Sequence, residues 1–148
     1  MPDVTVDDWV DHAQERLARS GYHRGGARRA VIELLGRQKC ALTAHEIDER
    51  LRDEGRAVGW ASVYRALEQL TELHLVTRLE IGQDAARYEP VRPGGEHHHH
   101  LVCDRCGRVT PFEDRALETA IDRVSRRVRF DVGDHDVVLH GACERCRR

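Results

Sequence analysis

Four of the five cysteines fall in two knuckles, Cys103-Asp-Arg-Cys106-Gly and Cys143-Glu-Arg-Cys146, separated by residues 107–142. Four thiolates carried on two tight turns can close a tetrahedral cage around Zn(2+), a metal that accepts sulfur and leaves no open position in such a site. The competing readings are a disulfide pair or a redox CxxC. Disulfides are disfavoured in a cytoplasmic protein, and a redox motif does not call for a second matching pair. A structural Zn(2+) at Cys103, Cys106, Cys143 and Cys146 is therefore expected. It would tie the tail back onto the first strand of its domain, as a clamp on the fold rather than a sensor.

Residues 97–100 are four consecutive histidines immediately ahead of the first knuckle. On an extended segment successive side chains point to opposite faces. His97 and His99 then share one face, and His98 and His100 the other. Such a pattern supports two separate metal sites rather than one, each needing ligands from elsewhere. Candidates are Glu118, His135, Glu89 and the fifth, unpaired cysteine, Cys40. The plainer alternative is a solvated polar loop. The isolated histidines His12, His23, His45, His74 and His140 read as surface or packing residues, with His140 and His45 the first to reconsider.

Two other functions use the same residues. A zinc hydrolase could be built on His98, His100 and Glu89 or Glu118, but the chain has no HExxH and no obvious general base beside an open metal position. A metal store or chaperone would account for the histidines and leave Tyr64 and Arg65 without a task. Those two lie near the start of a helix whose Val63, Leu67 and Leu70 turn inward, so Arg65 points nearly opposite, flanked by Ser62 and Tyr64. That end of the second helix reaches base edges in helix-turn-helix proteins. Residues 19–39 carry six basic side chains (Arg19, Arg24, Arg28, Arg29, Arg37 and Lys39) against the single acid Glu33. Such a cluster is a phosphate-contacting footprint, and Arg24, beside glycines on a turn, could reach into a minor groove. Arginine is this chain's ordinary cation, so a merely solvated face is the competing reading.

The elements that must hold these residues follow from periodicity. After Thr5, the spacing of Val6, Trp9, Val10, Ala13 and Leu17 predicts a helix ended by Ser20-Gly21. A second, apolar helix carries Val31, Ile32, Leu34 and Leu35. Thr43 and Glu46 form a capping box that opens a third, through Ile47 and Leu51 to Gly55. A fourth starts near Trp60, with Val63, Ala66, Leu67, Leu70 and Leu73 as its buried stripe. Two short strands, 75–81 and 85–89, surround a turn at 82–84. Helices followed by a two-stranded ribbon describe a winged helix-turn-helix. Pro90, Pro93, Gly94 and Gly95 then mark a hinge. Beyond it come a strand (99–102), the first knuckle, a strand (108–112), a helix burying Leu117, Ala120, Ile121, Val124 and Val128, and a strand (135–140). The fold class is α+β, with a DNA-binding domain at 1–89, a hinge at 90–96 and a metal-binding domain at 97–148. A unit of about 50 residues has little core of its own and needs a metal, a partner chain or both.

Composition narrows the class. The 148 residues are 40% hydrophobic and 34% charged, and the 24 basic and 26 acidic side chains nearly cancel. No stretch approaches the roughly 20 apolar residues of a membrane span, and no signal-peptide core is evident. A cytoplasmic protein with no membrane partner and no small organic substrate is expected.

The assembled sequence resembles the ferric uptake regulator (Fur) family from about Ser20 to Cys146. The run Ala61-Ser62-Val63-Tyr64-Arg65-Ala66-Leu67, the histidine-to-knuckle run ending at Gly107, and Gly141-Ala-Cys143-Glu-Arg-Cys146 carry the resemblance. It implies a dimeric, metal-activated repressor with an N-terminal winged helix and a C-terminal α/β dimerisation domain, not an enzyme. Tyr64 would contact bases in double-stranded operator DNA, with Arg65 and Arg28 holding the DNA. Cys103, Cys106, Cys143 and Cys146 match the structural zinc ligands, and His97, His99, Glu118 and His135 those of a site inside the dimerisation domain. Glu89, His98 and His100 match three ligands of the hinge site assigned to sensing. The histidine that iron-type members add there is Ala41 here, with Cys40 beside it. Thr77 and Val91 stand near the positions where zinc-type members place an aspartate and a cysteine. A soft Cys40 ligand favours Zn(2+) over Fe(2+) as the regulatory metal, which points to the zinc uptake branch, with iron, nickel or peroxide sensing behind it.

Overall fold

The computed structural model describes residues 6–23, 25–38, 41–56, 58–81, 85–92 and 98–148. Thr5, Arg24, Lys39, Cys40, the turn at 82–84, and Pro93, Gly94, Gly95 and His97 lie outside them. The chain divides into two compact units, Met1–Glu96 and His97–Arg148.

The first unit packs four helices, α1 (Val6–Arg19), α2 (Gly26–Gly36), α3 (Ala44–Asp53) and α4 (Trp60–Glu72), on a small sheet. Each helix turns an apolar stripe to one core. Trp9, Ala13 and Leu17 of α1 meet Val31, Ile32 and Leu35 of α2, Ile47 and Leu51 of α3, and Val63, Leu67 and Leu70 of α4. Truncating a fully buried leucine such as Leu67 to alanine costs roughly 2–5 kcal/mol. Thr43 and Glu46 form the reciprocal capping box at the start of α3: Glu46 N–H donates to Thr43 Oγ1, and Thr43 N–H to Glu46 Oε2. Leu73, expected in the buried stripe of α4, is its C-cap and only half-buried.

The ribbon is three-stranded rather than two-stranded. A two-residue strand, β1 (Leu42–Thr43), joins β2 (Val76–Leu79) and β3 (Arg87–Pro90) in the order β1-β3-β2, all antiparallel. Pro90 closes β3 opposite Val76, and the next N–H, that of Val91, donates to Leu75 O at 2.9 Å. A strand's last position tolerates a residue without an N–H. Arg87 joins this sheet to α3 through Glu46 at 3.2 Å.

The second unit is a three-stranded sheet with one helix: β4 (His99–Cys103), β5 (Val109–Phe112), α5 (Arg115–Val128) and β6 (Val138–Gly141), ordered β5-β4-β6. β4 runs antiparallel to β5 and parallel to β6. Asp114 caps α5 by accepting from Leu117 N–H at 2.8 Å. Two expectations are corrected. The last strand starts at Val138, because His135 turns out of line toward α5 and its N–H is held by Asp134 Oδ1 at 2.9 Å. The apolar stripe of α5 is not buried: no residue of the helix is, and Val124 and Val128 are exposed.

Candidate metal centres and nucleic-acid interface

Topology explains how the two knuckles meet. One follows β4 and the other follows β6, and these strands are parallel neighbours with Cys103 opposite Gly141. Both turns therefore emerge at the same end of the sheet. Gly107, at φ +73°, allows the first turn to close, its N–H donating to Cys103 O at 2.8 Å. Asp104 N–H donates to Gly141 O at 2.8 Å, and Arg105 reaches Cys146 O across the two turns. The four Sγ atoms lie within 4.8 Å of one another, and none of the four is in a disulfide. Cys106 and Cys143 sulfurs stand 3.8 Å apart. Zn–S bonds of about 2.3 Å in a tetrahedron put sulfurs about 3.8 Å apart, so the spacing fits that ion.

The thiols are not equivalent. Backbone N–H groups of Cys143 and Cys106 hold the Cys103 thiol down at about 6, the former donating to its sulfur at 3.3 Å. The neighbouring sulfurs of Cys143 and Cys106 push Cys146 up to about 12. The first position of the cage thus favours the thiolate and the fourth the thiol, so a metal that needs all four sulfurs deprotonated would release protons on binding.

A second cluster occupies the same unit. His99, Glu118 and His135 each offer a ligand atom within 4.8 Å of the others. One Glu118 oxygen lies 2.5 Å from Nε2 of the buried His99, the other 2.7 Å from Nε2 of His135. Val137 N–H donates to His99 Nδ1 at 3.1 Å, which leaves the ring proton on Nε2, facing the carboxylate. A divalent cation held by His99, Glu118 and His135 would take the place of that proton. His97 lies outside the described residues.

Alternation along β4 turns the next side chain away. His100, also buried, stacks edge-on with His98 at 5.0 Å between ring centroids and has Asp136 Oδ1 3.7 Å from its Nδ1. Asp136 is a carboxylate that sequence reasoning missed; its one signal is its place next to His135. Glu89 is on β3 of the first unit, opposite Thr77, and Cys40 lies outside the described residues.

On the first unit, α3 and α4 form the helix-turn-helix. Arg65 and Tyr64 are exposed on α4 and Ser62 is half-buried. Arg28 is engaged by the fold: Nε donates to Gln69 at 2.7 Å, one terminal nitrogen to His23 O at 2.6 Å, and the guanidinium lies over the Tyr22 ring. Of the neighbouring cations, Arg29 pairs with Glu33 and Arg37 with Glu54. Arg29 and Arg37 of the basic cluster are thus neutralised locally. Trp60, read from the sequence only as a helix start, meets Tyr64 edge-to-face at 4.9 Å, and His45, one of the two isolated histidines to reconsider first, meets Trp60 at 5.9 Å.

A winged helix joined to a small unit that gathers four thiols and a His–Glu–His cluster defines a metal-responsive transcription regulator. The Ferric uptake regulator family matches residues 19–140, and the chain belongs to that family. The ferric uptake regulation protein of Bacillus subtilis (strain 168) is 34% identical over 143 residues, 95% of this chain and 96% of that one. The Legionella pneumophila protein of the same description is 36% identical over 106 residues, 72% and 76% of the two chains. The solved Helicobacter pylori ferric uptake regulator superposes with a TM-score of 0.84 at 25% identity, over 97% of this chain and 95% of that one. The Vibrio cholerae regulator does so at 0.78 and 29%, over 88% and 98%. No helix among the described residues is long and apolar enough to cross a membrane.

Proposed function

We propose that the protein is a cytoplasmic, homodimeric repressor that binds double-stranded operator DNA when loaded with divalent metal, and that it controls metal-uptake genes. The observation that carries this reading is the pairing of an exposed Tyr64–Arg65 helix face with a second unit whose histidines alternate between two ligand sets. Structural Zn(2+) is held by Cys103, Cys106, Cys143 and Cys146. His99, Glu118 and His135, with His97, take a second ion. Regulatory metal is assigned to His98, His100 and Glu89, with Cys40 as the fourth ligand. That metal is Zn(2+) first and Fe(2+) second, because a thiolate in the set selects the softer ion. The Helicobacter pylori relative, described as having three functional metal binding sites, supports a count of that order. Metal acts by binding the DNA-competent conformer more tightly than the other, so occupancy and DNA affinity rise together.

Homodimerisation is supported by the open apolar face of the second unit. Leu101 and Leu139 are neighbours in register on one sheet face, and Val124, Val128 and Phe130 are exposed on and after α5. Large apolar side chains left exposed on both the sheet and the helix of one small unit are what an association site would cover. A gel shift on the protein's own upstream DNA, with and without zinc and repeated with iron(II), manganese and nickel, tests the proposal. A zinc-dependent shift that Arg65→Ala weakens, with zinc content and dimerisation unchanged, supports it. Equal affinity in metal-free protein removes metal control, and no shift under any metal leaves the storage alternative.

A further inference from the structure

Trp60 is the first residue of α4 and is 43% exposed, although an indole is among the side chains that gain most from burial. It is held in place all the same. Tyr64, one turn on, meets it edge-to-face at 4.9 Å with ring planes at 73°. His45, the second residue of α3, also meets it, at 5.9 Å and 62°, and is itself steadied by Glu49 at 3.0 Å. Three rings from both helices of the helix-turn-helix thus form one exposed ledge. On α4 the buried stripe of Val63, Ala66, Leu67 and Leu70 fixes its orientation, leaving Trp60 and Tyr64 on one flank and Arg65 opposite the core.

We propose that Trp60 is a specificity-determining residue that reads the C5-methyl group of thymine in the major groove. The proposal rests on the DNA-binding reading of α4 given above. N-terminal residues of the second helix are the ones that approach base edges, and the thymine methyl is the apolar feature that the major groove offers there. Arg65, the exposed residue after Tyr64 on the same helix, supplies charge complementary to phosphate, which favours a groove over an apolar protein partner. Ring-to-ring contacts with His45 and Tyr64 pre-order the indole, so little side-chain freedom is lost on binding.

The test uses the full-length zinc-loaded protein and a duplex that it recovers from a randomised-sequence library. Thymidines in that duplex are replaced one at a time by deoxyuridine, which removes only the methyl. Wild-type protein should lose about fourfold in affinity at one or more positions in each half-site, the worth of burying one methyl. Trp60→Ala should bind the thymine duplex more weakly and lose that discrimination, while Trp60→Leu, which keeps apolar bulk, should retain part of it. Folding is read independently from Trp9, which is fully buried in the core and becomes the sole indole emitter in both variants. If both variants, folded by that measure, keep wild-type affinity and the wild-type uridine penalty, Trp60 does not read the methyl. If wild-type protein recovers no duplex with any metal, the DNA-binding reading itself falls, a result distinguishable from the first.

Discussion

His99 and Glu118 stand ring nitrogen to carboxylate oxygen at 2.5 Å, with the histidine fully buried and the second carboxylate oxygen committed to His135. One anion thus serves two imidazoles. Glu118→Gln keeps the shape but removes the charge and one acceptor. It should lower metal affinity at this cluster by at least roughly tenfold and leave the thiolate-bound zinc in place. Zinc per chain after dialysis against graded chelator concentrations checks this.

The thiolate cage and the His98 set should separate in their effects. Cage occupancy contributes on the order of 10 kcal/mol to folding in small zinc modules, so Cys103→Ser should unfold the second unit and lose its zinc together. His98→Ala should keep the fold and the cage zinc while losing the metal-dependent gain in DNA affinity. Circular dichroism, bound zinc and DNA affinity across a zinc titration distinguish the two. Unfolding of both variants alike would remove the assignment of sensing to His98.

Association through the open apolar face predicts that Val128→Glu weakens the dimer by at least about a hundredfold, since two carboxylates would be desolvated against apolar surface. Sedimentation velocity at micromolar concentration reads the change. Zinc content should stay constant, because Val128 belongs to neither ligand set.

Glu33 accepts from Arg29 at 2.8 Å and from Arg56 at 2.7 Å, and these two hydrogen bonds hold its carboxyl below the ordinary value of 4.5. A carboxylate so depressed favours the fold above its ordinary pKa, and that contribution is lost as pH falls through the lower folded value. Glu33→Gln should therefore cost about 0.5–1 kcal/mol near neutrality, the size expected for a partly exposed pair, and cost nothing once both forms are uncharged. Urea midpoints for both proteins should converge as pH is lowered below 4.5.

How much of this was legible in the sequence depends on how far each signal travels along the chain. The CxxC spacing states its chemistry locally, and the capping box of Thr43 and Glu46 spans four residues. The alternation of His98, His99 and His100 follows from the period of a strand. Strand β1, by contrast, is two residues whose pairing with Tyr88 and Arg87 no local pattern records. The stripe on α5 reads as core because periodicity reports that a face avoids water, not which surface covers it. The occupation of Arg28 by Gln69 was likewise hidden, being a contact across 41 residues to another helix. Trp60 looked like a helix start; its ledge with His45 exists only once α3 and α4 cross.

The parallel pairing of β4 with β6 has a kinetic consequence. A metal bound across Cys103, Cys106, Cys143 and Cys146 is a cross-link that closes a loop of roughly 40 residues, worth about 4 kcal/mol in lost freedom of the unfolded chain. It also joins the first and last strands of the unit, so no partial chain can complete it. During synthesis, β4 and β5 must wait as an exposed hairpin until β6 and the second knuckle leave the ribosome. If zinc fills the cage, the unit would gain that constraint only after the second knuckle has left the ribosome.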